Sequence, residues 1–408
     1  MIMIIIINEK DRWNLMAKYF FSSSFLLFLG NWIGQVGLNW FVLTTYHNAV
    51  YLGLVNFCRL IPILLLSVWA GSIADKYDKG LLLRITISSS FIITALLCLL
   101  TYSLNTIPIF IILLYATFRG ILSAVETPVR QAVLPDLSSK ISTTQAVSFH
   151  SFIINICRSI GPAIAGGLIA VYHTPTTFLA QAVCYFIAAV LCIPIHFEVI
   201  LSQKEGKALP LKVVLNYFKS NLEGSQIFIT SIIIMATGFS YTTVLPVLTN
   251  HIFPGQSQVF GIAMTFCAIG GIVATIVLPS ILKHLSTVKM YYLSSILFGI
   301  ALLGIIIHHL VVMFICITLI GLFSQWARTT NRVYFQHSVK DCDRGKVLSI
   351  VMMDRGMIPL GSLIMSFFAD MFGILTTFTI MGISTISISI IFYIIQRISN
   401  MEESNNES

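Results

Sequence analysis

Long apolar runs separated by short polar breaks set the plan of this chain. A helix needs about 20 apolar residues to cross the hydrocarbon core of a bilayer. Runs of that kind predict twelve helices, at 17–45, 50–74, 81–102, 107–127, 142–172 and 176–197, then 227–251, 258–282, 290–308, 311–326, 347–372 and 375–397. The longest polar stretch, 198–226, falls after the sixth. It divides the chain into a bundle at 1–197, a linker at 198–226, and a second bundle with a short tail at 227–408. Arg158-x-x-x-Pro162 in the fifth run recurs as Arg355-x-x-x-Pro359 in the eleventh, which points to a duplication. The predicted fold is an all-α membrane protein, with twelve transmembrane helices in two pseudo-symmetric six-helix bundles.

Composition agrees with the pattern and removes other classes. Of 408 residues, 57% are hydrophobic and 10% charged, and mean hydropathy is +0.90. A water-soluble domain cannot cover that much apolar surface with polar groups. Soluble enzymes, nucleic-acid binders and disordered chains are excluded on this ground, despite a net charge of +8. The cations speak to topology instead. With the N-terminus inside, all 24 Lys and Arg residues except Arg59, Arg119, Arg158 and Arg355 fall on the cytoplasmic side. The positive-inside rule then predicts a multi-pass cell-membrane protein with both termini cytoplasmic. The cysteines form no C-x-x-C pair, so neither a disulfide framework nor a metal site is expected.

The four exceptions carry the candidate chemistry. An arginine at mid-bilayer costs about 2.5–3.5 kcal/mol on insertion scales, so each needs a partner or a wet cavity. Arg119 shares a helical face with Tyr115, Ser123 and Glu126. Asn31 and Gln35 make a polar stripe in the first run, and Tyr241, with Thr242 and Thr243, one in the seventh. Carboxylates are scarce: Asp354, Glu126 and Asp370. Either the arginines staple helices together, or they line a cavity suited to an anion through charge-assisted hydrogen bonds. Asn31, Gln35, Arg59, Arg158, Tyr241 and Arg355 are the expected cavity residues. No phosphate-binding G-x-x-x-x-G-K-[ST], H-E-x-x-H or G-x-S-x-G occurs, so neither ATP hydrolysis nor any other enzyme activity, cofactor or metal is expected.

The loop Gly71-Ser-Ile-Ala-Asp75-Lys76-Tyr-Asp78-Lys79 resembles the signature between the second and third spans of the major facilitator superfamily. Other pieces are similar to its drug and siderophore exporters: Arg119-Gly120, the stretch from Glu126 through Arg130 to Asp136, Asn155 through Arg158 and Pro162 to Gly166, and Arg344-Gly345. The resemblance implies a monomeric secondary exporter driven by the proton gradient and working by alternating access. Gly71, Asp75, Lys76 and Lys79 would form a cytoplasmic gate, and Arg119 matches the arginine that the family links to proton coupling. A buried acid has its proton affinity set by desolvation and by a nearby arginine, so Asp354 or Glu126 is the expected proton acceptor, tuned by Arg119. The loop 283–289 lacks the glycine and the acid, and Gly321 stands where the first half has Arg119. The expected cargo is a small anionic metabolite, such as a carboxylate siderophore of the staphyloferrin type. The alternative is a macrolide or other lipophilic drug.

Overall fold

The computed structural model describes residues 9–104, 106–135, 137, 143–195, 211–339 and 344–406. Within its helices the side chains at 9–14, 67–76, 143–144, 211–214, 344–346, 349 and 399–406 lie outside the described residues, and with them those of Gly71, Asp75 and Lys76. Every regular element among the described residues is helical. In order these are α1 (Glu9–Tyr46), α2 (Ala49–Lys76), α3 (Lys79–Ser103), α4 (Ile109–Val133), α5 (Thr143–Tyr172) and α6 (Pro175–Cys192). There follow α7 (Leu211–Ser220), α8 (Leu222–Thr237), α9 (Tyr241–Ile252), α10 (Ser257–Ile281), α11 (Thr287–Gly304) and α12 (Leu310–Ser338). The last are α13 (Arg344–Val351), a 3-10 turn (Met352–Gly356), α14 (Met357–Phe372) and α15 (Ile374–Asn406).

Among the described residues eleven segments are long and apolar enough to cross a bilayer, with α8 and α9 forming one of them, Leu222–Ile252. Phe110 is 68% exposed and Ile276 71%, an outward apolar surface suited to lipid rather than water. Two predicted spans are not continuous helices. The run 347–372 is broken at Met352–Gly356. Pro359 has no N–H for the Arg355 carbonyl and its ring crowds that group, so the helix tightens into a 3-10 turn and restarts at Met357. The run 227–251 is broken after Thr237, where the amides of Gly238 and Phe239 share the Ile234 carbonyl at 2.8 and 3.1 Å. Within the polar stretch 198–226 lies α7, and α8 begins at Leu222.

The chain divides into two compact units. One is Met1–Thr45 with Cys58–Gly206, the other Tyr46–Phe57 with Lys207–Ser408. In the first, α3 packs on α4 and α6, around a core of Phe20, Leu83, Val129, Tyr185 and Cys192. In the second, α12 packs on α10 and α11, and α8 on α14 and α15. A β-carbon at Gly361 would collide with the Ala236 carbonyl, so α14 lies against the end of α8 only because that position is glycine.

Candidate functional site

The first unit builds its polar centre on one face of α4. Arg119, Ser123, Glu126 and Arg130 follow at helical spacing. Arg119 is 4% exposed; its Nη1 donates to Ser123 Oγ at 2.7 Å and lies 3.7 Å from Glu126 Oε2. Its Nε and Nη2 donate to the Tyr185 hydroxyl of α6 at 3.1 and 2.9 Å. That hydroxyl also accepts from Gln181 Nε2 at 3.0 Å. Arg130 is 1% exposed and donates to Glu126 Oε1 at 3.2 Å and to Ser24 Oγ of α1 at 2.6 Å. Glu126 thus holds two guanidiniums. Arg59, half-buried on α2, lies in the electrostatic field of Arg119, and a β-carbon at Gly120 would strike its carbonyl.

The second unit places its polar centre at the helix break. Asp354 is 5% exposed, and its Oδ2 accepts from Ser231 Oγ of α8 at 2.6 Å and from Asn331 Nδ2 of α12 at 3.3 Å. Asn331 Nδ2 also donates to Ser231 at 2.9 Å. One cleft is lined by Asp354, Asn331 and three arginines: Arg328, Arg332 and Arg355. Arg328 donates to Gln325 at 2.9 Å and stands 5.0 Å over the Phe239 ring. Arg332 is half-buried and Arg355 exposed.

The remaining predicted residues are spread out. Asn31 and Gln35 are half-buried on α1, one turn apart, and Arg158 is half-buried on α5. Tyr241 is 3% exposed, its hydroxyl 3.0 Å from Cys267 Sγ. Lys79 Nζ donates to the Ala132 carbonyl near the end of α4 at 3.0 Å. Its neighbour Asp78 caps α3, accepting from the amides of Gly80 and Leu81 at 2.9 and 3.3 Å. Sequence reasoning named Arg119, Glu126, Asp354 and Arg355, but passed over Tyr185, Ser231, Asn331, Arg328 and Arg332. Arg328 and Arg332 are legible as an i, i+4 pair, yet lie beyond the apolar run 311–326, among the cations expected on the cytoplasmic side. Tyr185 carries no signal that sets it apart from other tyrosines in apolar runs. Among the described residues no group of three His, Cys, Asp or Glu could hold a metal ion.

A chain whose described elements are all helical, with an outward apolar surface, buried charge and a helix broken at a polar centre, is a membrane transporter in class. The transmembrane secretion effector family of the major facilitator superfamily matches residues 16–408, and the chain belongs to it. It is 75% identical over 394 residues to the staphyloferrin A transporter of Staphylococcus aureus, covering 96% of this chain and 99% of that one. It is 19% identical over 407 residues to macrolide efflux protein A of Streptococcus pyogenes, covering 97% and 99%. Among solved structures, a mutant of the nucleoside transporter NupG superposes with a TM-score of 0.74 at 15% identity, covering 93% of this chain and 99% of that one. A bacterial homologue of the human lysosomal transporter Spinster gives 0.71 at 12%, covering 95% and 96%. The fold is that of the major facilitator superfamily, and the chain is a multi-pass membrane transporter of a small molecule rather than an enzyme.

Proposed function

We propose that this transporter exports a small anionic chelator of the carboxylate siderophore kind by alternating access, as a monomer in the cell membrane with both termini in the cytosol. The proton-motive force energises it. The observation that carries this reading is the 75% identity, over nearly the whole length of both chains, to a protein named for staphyloferrin A. The surplus of arginine over carboxylate in both polar centres supports an anionic cargo. Cells lacking the protein are expected to secrete less of the chelator under iron limitation. Unchanged secretion in cells with no redundant exporter would end the idea. The aromatic cavity of about 880 Å³ between α1 and α5, lined by Phe21, Phe25, Phe149 and Phe152, favours lipophilic drug efflux as a second reading. Raised drug resistance on overexpression, without a change in chelator secretion, would select it.

Of the two buried acids, Asp354 is the better proton carrier. Glu126 is engaged by Arg119 and Arg130, whereas neutral Ser231 and Asn331 donate to Asp354. Asp354 also sits where a helix breaks and ties that break to α8 and α12, so its charge bears on the packing of both. Arg119 positions Glu126, and Lys79, with Gly71, Asp75 and Lys76, forms the gate. If Asp354→Asn combined with Glu126→Gln leaves the pH response of transport intact, neither acid carries the proton.

A further inference from the structure

A third acid of the molecule, inside the stretch read as linker, stands on the side of α8 that meets α12. Glu223 sits in the first turn of α8, where the helix dipole favours a carboxylate. Its Oε2 accepts from the Tyr334 hydroxyl of α12 at 3.0 Å, and its Oε1 accepts from Gln396 Nε2 of α15. Tyr217 of α7 and Tyr292 of α11 also lie in its electrostatic field. Among the described residues no cation pairs with it; Lys219 of α7, Lys289 of α11 and Arg397 of α15 are exposed. Glu223 therefore repeats the plan of Asp354, an acid served by neutral donors from neighbouring helices.

A run of unpaired polar groups joins the two acids. Glu223, Gln226, Thr230 and Ser231 step along α8 at helical spacing, and Ser231 is the residue that donates to Asp354. From Glu223 to Ser231 the helix rises about 12 Å. On α11, Tyr291 lies beside Ser231 and in the field of Asp354, while Tyr292 lies beside Thr230 and in the field of Glu223. Their rings meet edge to face, with 5.2 Å between centroids. Tyr291 and Tyr292 are 2% and 1% exposed, yet neither hydroxyl makes a regular hydrogen bond among the described residues. The buried Oε1 atoms of Gln226 and Gln396 have no partner there either. Buried polar groups are ordinarily paired, so such a gathering between two acids is costly unless it has a use. A hydroxyl held by no fixed partner can turn, taking a proton on one side and giving up its own on the other. The cleft beside Asp354 is instead lined by Arg328, Arg332 and Arg355, whose charge opposes an approaching proton. The neutral seam is the easier way to the acid.

We propose that Glu223 is the inner proton station, and that a proton held on Asp354 passes by way of Tyr291 and Tyr292 to Glu223 and on to the cytosol. The route rests on the proton-driven export proposed above, in which a proton moving inward drives the cargo out. At each step one O–H bond forms and one breaks. Asp354 gives its proton to Tyr291, whose own proton goes to Tyr292, and that of Tyr292 to Glu223, with a water between where the gap exceeds a hydrogen bond. Two measurements on the full-length protein test this. In a deletion strain under iron limitation, secretion is read as the iron-chelating activity of the medium. Glu223→Gln is expected to support at least about tenfold less of it than wild type, and Glu223→Asp to restore part. Tyr291→Phe and Tyr292→Phe should each reduce it severalfold while the thermal midpoint holds or rises, because the hydroxyl removed has no regular partner. In lipid nanodiscs, at a pH low enough to protonate Asp354, infrared spectra in D2O follow deuteration of its carboxyl, a band identified by its loss in Asp354→Asn. Deuteration should be slower in Glu223→Gln and in both tyrosine variants. Equal deuteration in these variants and wild type would overturn the route. So would wild-type secretion in Glu223→Gln where secretion depends on the protein, or a fall in midpoint that accounts for the secretion lost. Secretion that survives deletion, with deuteration slowed as described, would remove export and leave the route. Secretion lost on deletion, with deuteration indifferent to the variants, would leave export and remove the route.

Discussion

Glu126 stands between two guanidiniums on its own helix, and Asp354 has hydroxyl and amide donors from two other helices. Removing each charge should therefore have different consequences. Glu126→Gln leaves Arg119 and Arg130 buried beside each other without their shared anion. A loss of about 3–5 kcal/mol is expected, read as a fall in the thermal midpoint of the purified protein. Tyr185→Phe strips an acceptor from two nitrogens of Arg119 and should cost about 1–3 kcal/mol. Asp354→Asn keeps an oxygen for Ser231 and nearly the same volume. Its stability should stay within about 1 kcal/mol of wild type while the pH response of transport is lost. Equal destabilisation by Glu126→Gln and Asp354→Asn would mean that both acids are structural.

Hydropathy located the helices because a bilayer rewards apolar length and little else. Within such a run it cannot see a break, since the residues of Met352–Gly356 are as compatible with a turn as with a helix. Pro359 was the available signal, and it was read as part of a repeat rather than as a missing amide. The same rule sets Arg328 and Arg332 outside the apolar run, which stops at Trp326, whereas α12 continues to Ser338. The face joining Arg119, Ser123 and Glu126 was readable from spacing alone, because all three lie on one helix. Tyr185 and Asn331 come from other helices, and only packing brings them in. Pro359→Ala restores the amide and should extend α14 back through the turn. Transport should fall with no loss of thermal stability; full activity would show that the break is dispensable. Gly361→Ala should lower the midpoint, since its methyl meets the Ala236 carbonyl. Gly167→Ala, which meets nothing within 4 Å, should leave the midpoint unchanged or raise it, for a gain in stability of up to about 1 kcal/mol.

For the molecule as a whole, the charge carried per cycle is that of whatever crosses. An anion leaving a negative interior gains about 2.3 kcal/mol per charge per 100 mV. Collapsing the electrical potential with a potassium ionophore should then arrest export. Collapsing the pH difference alone should slow it, as exchange of cargo against protons requires, and export indifferent to the pH difference would show that the electrical potential alone drives the cargo. Among the described residues, the interruptions at Gly238–Ser240 and Met352–Gly356 both belong to the second unit, while α1 to α6 each run unbroken. Deuterium should therefore enter the amides around those two interruptions well before it enters α4. One unit would then serve as an unyielding frame and the other as the part that flexes.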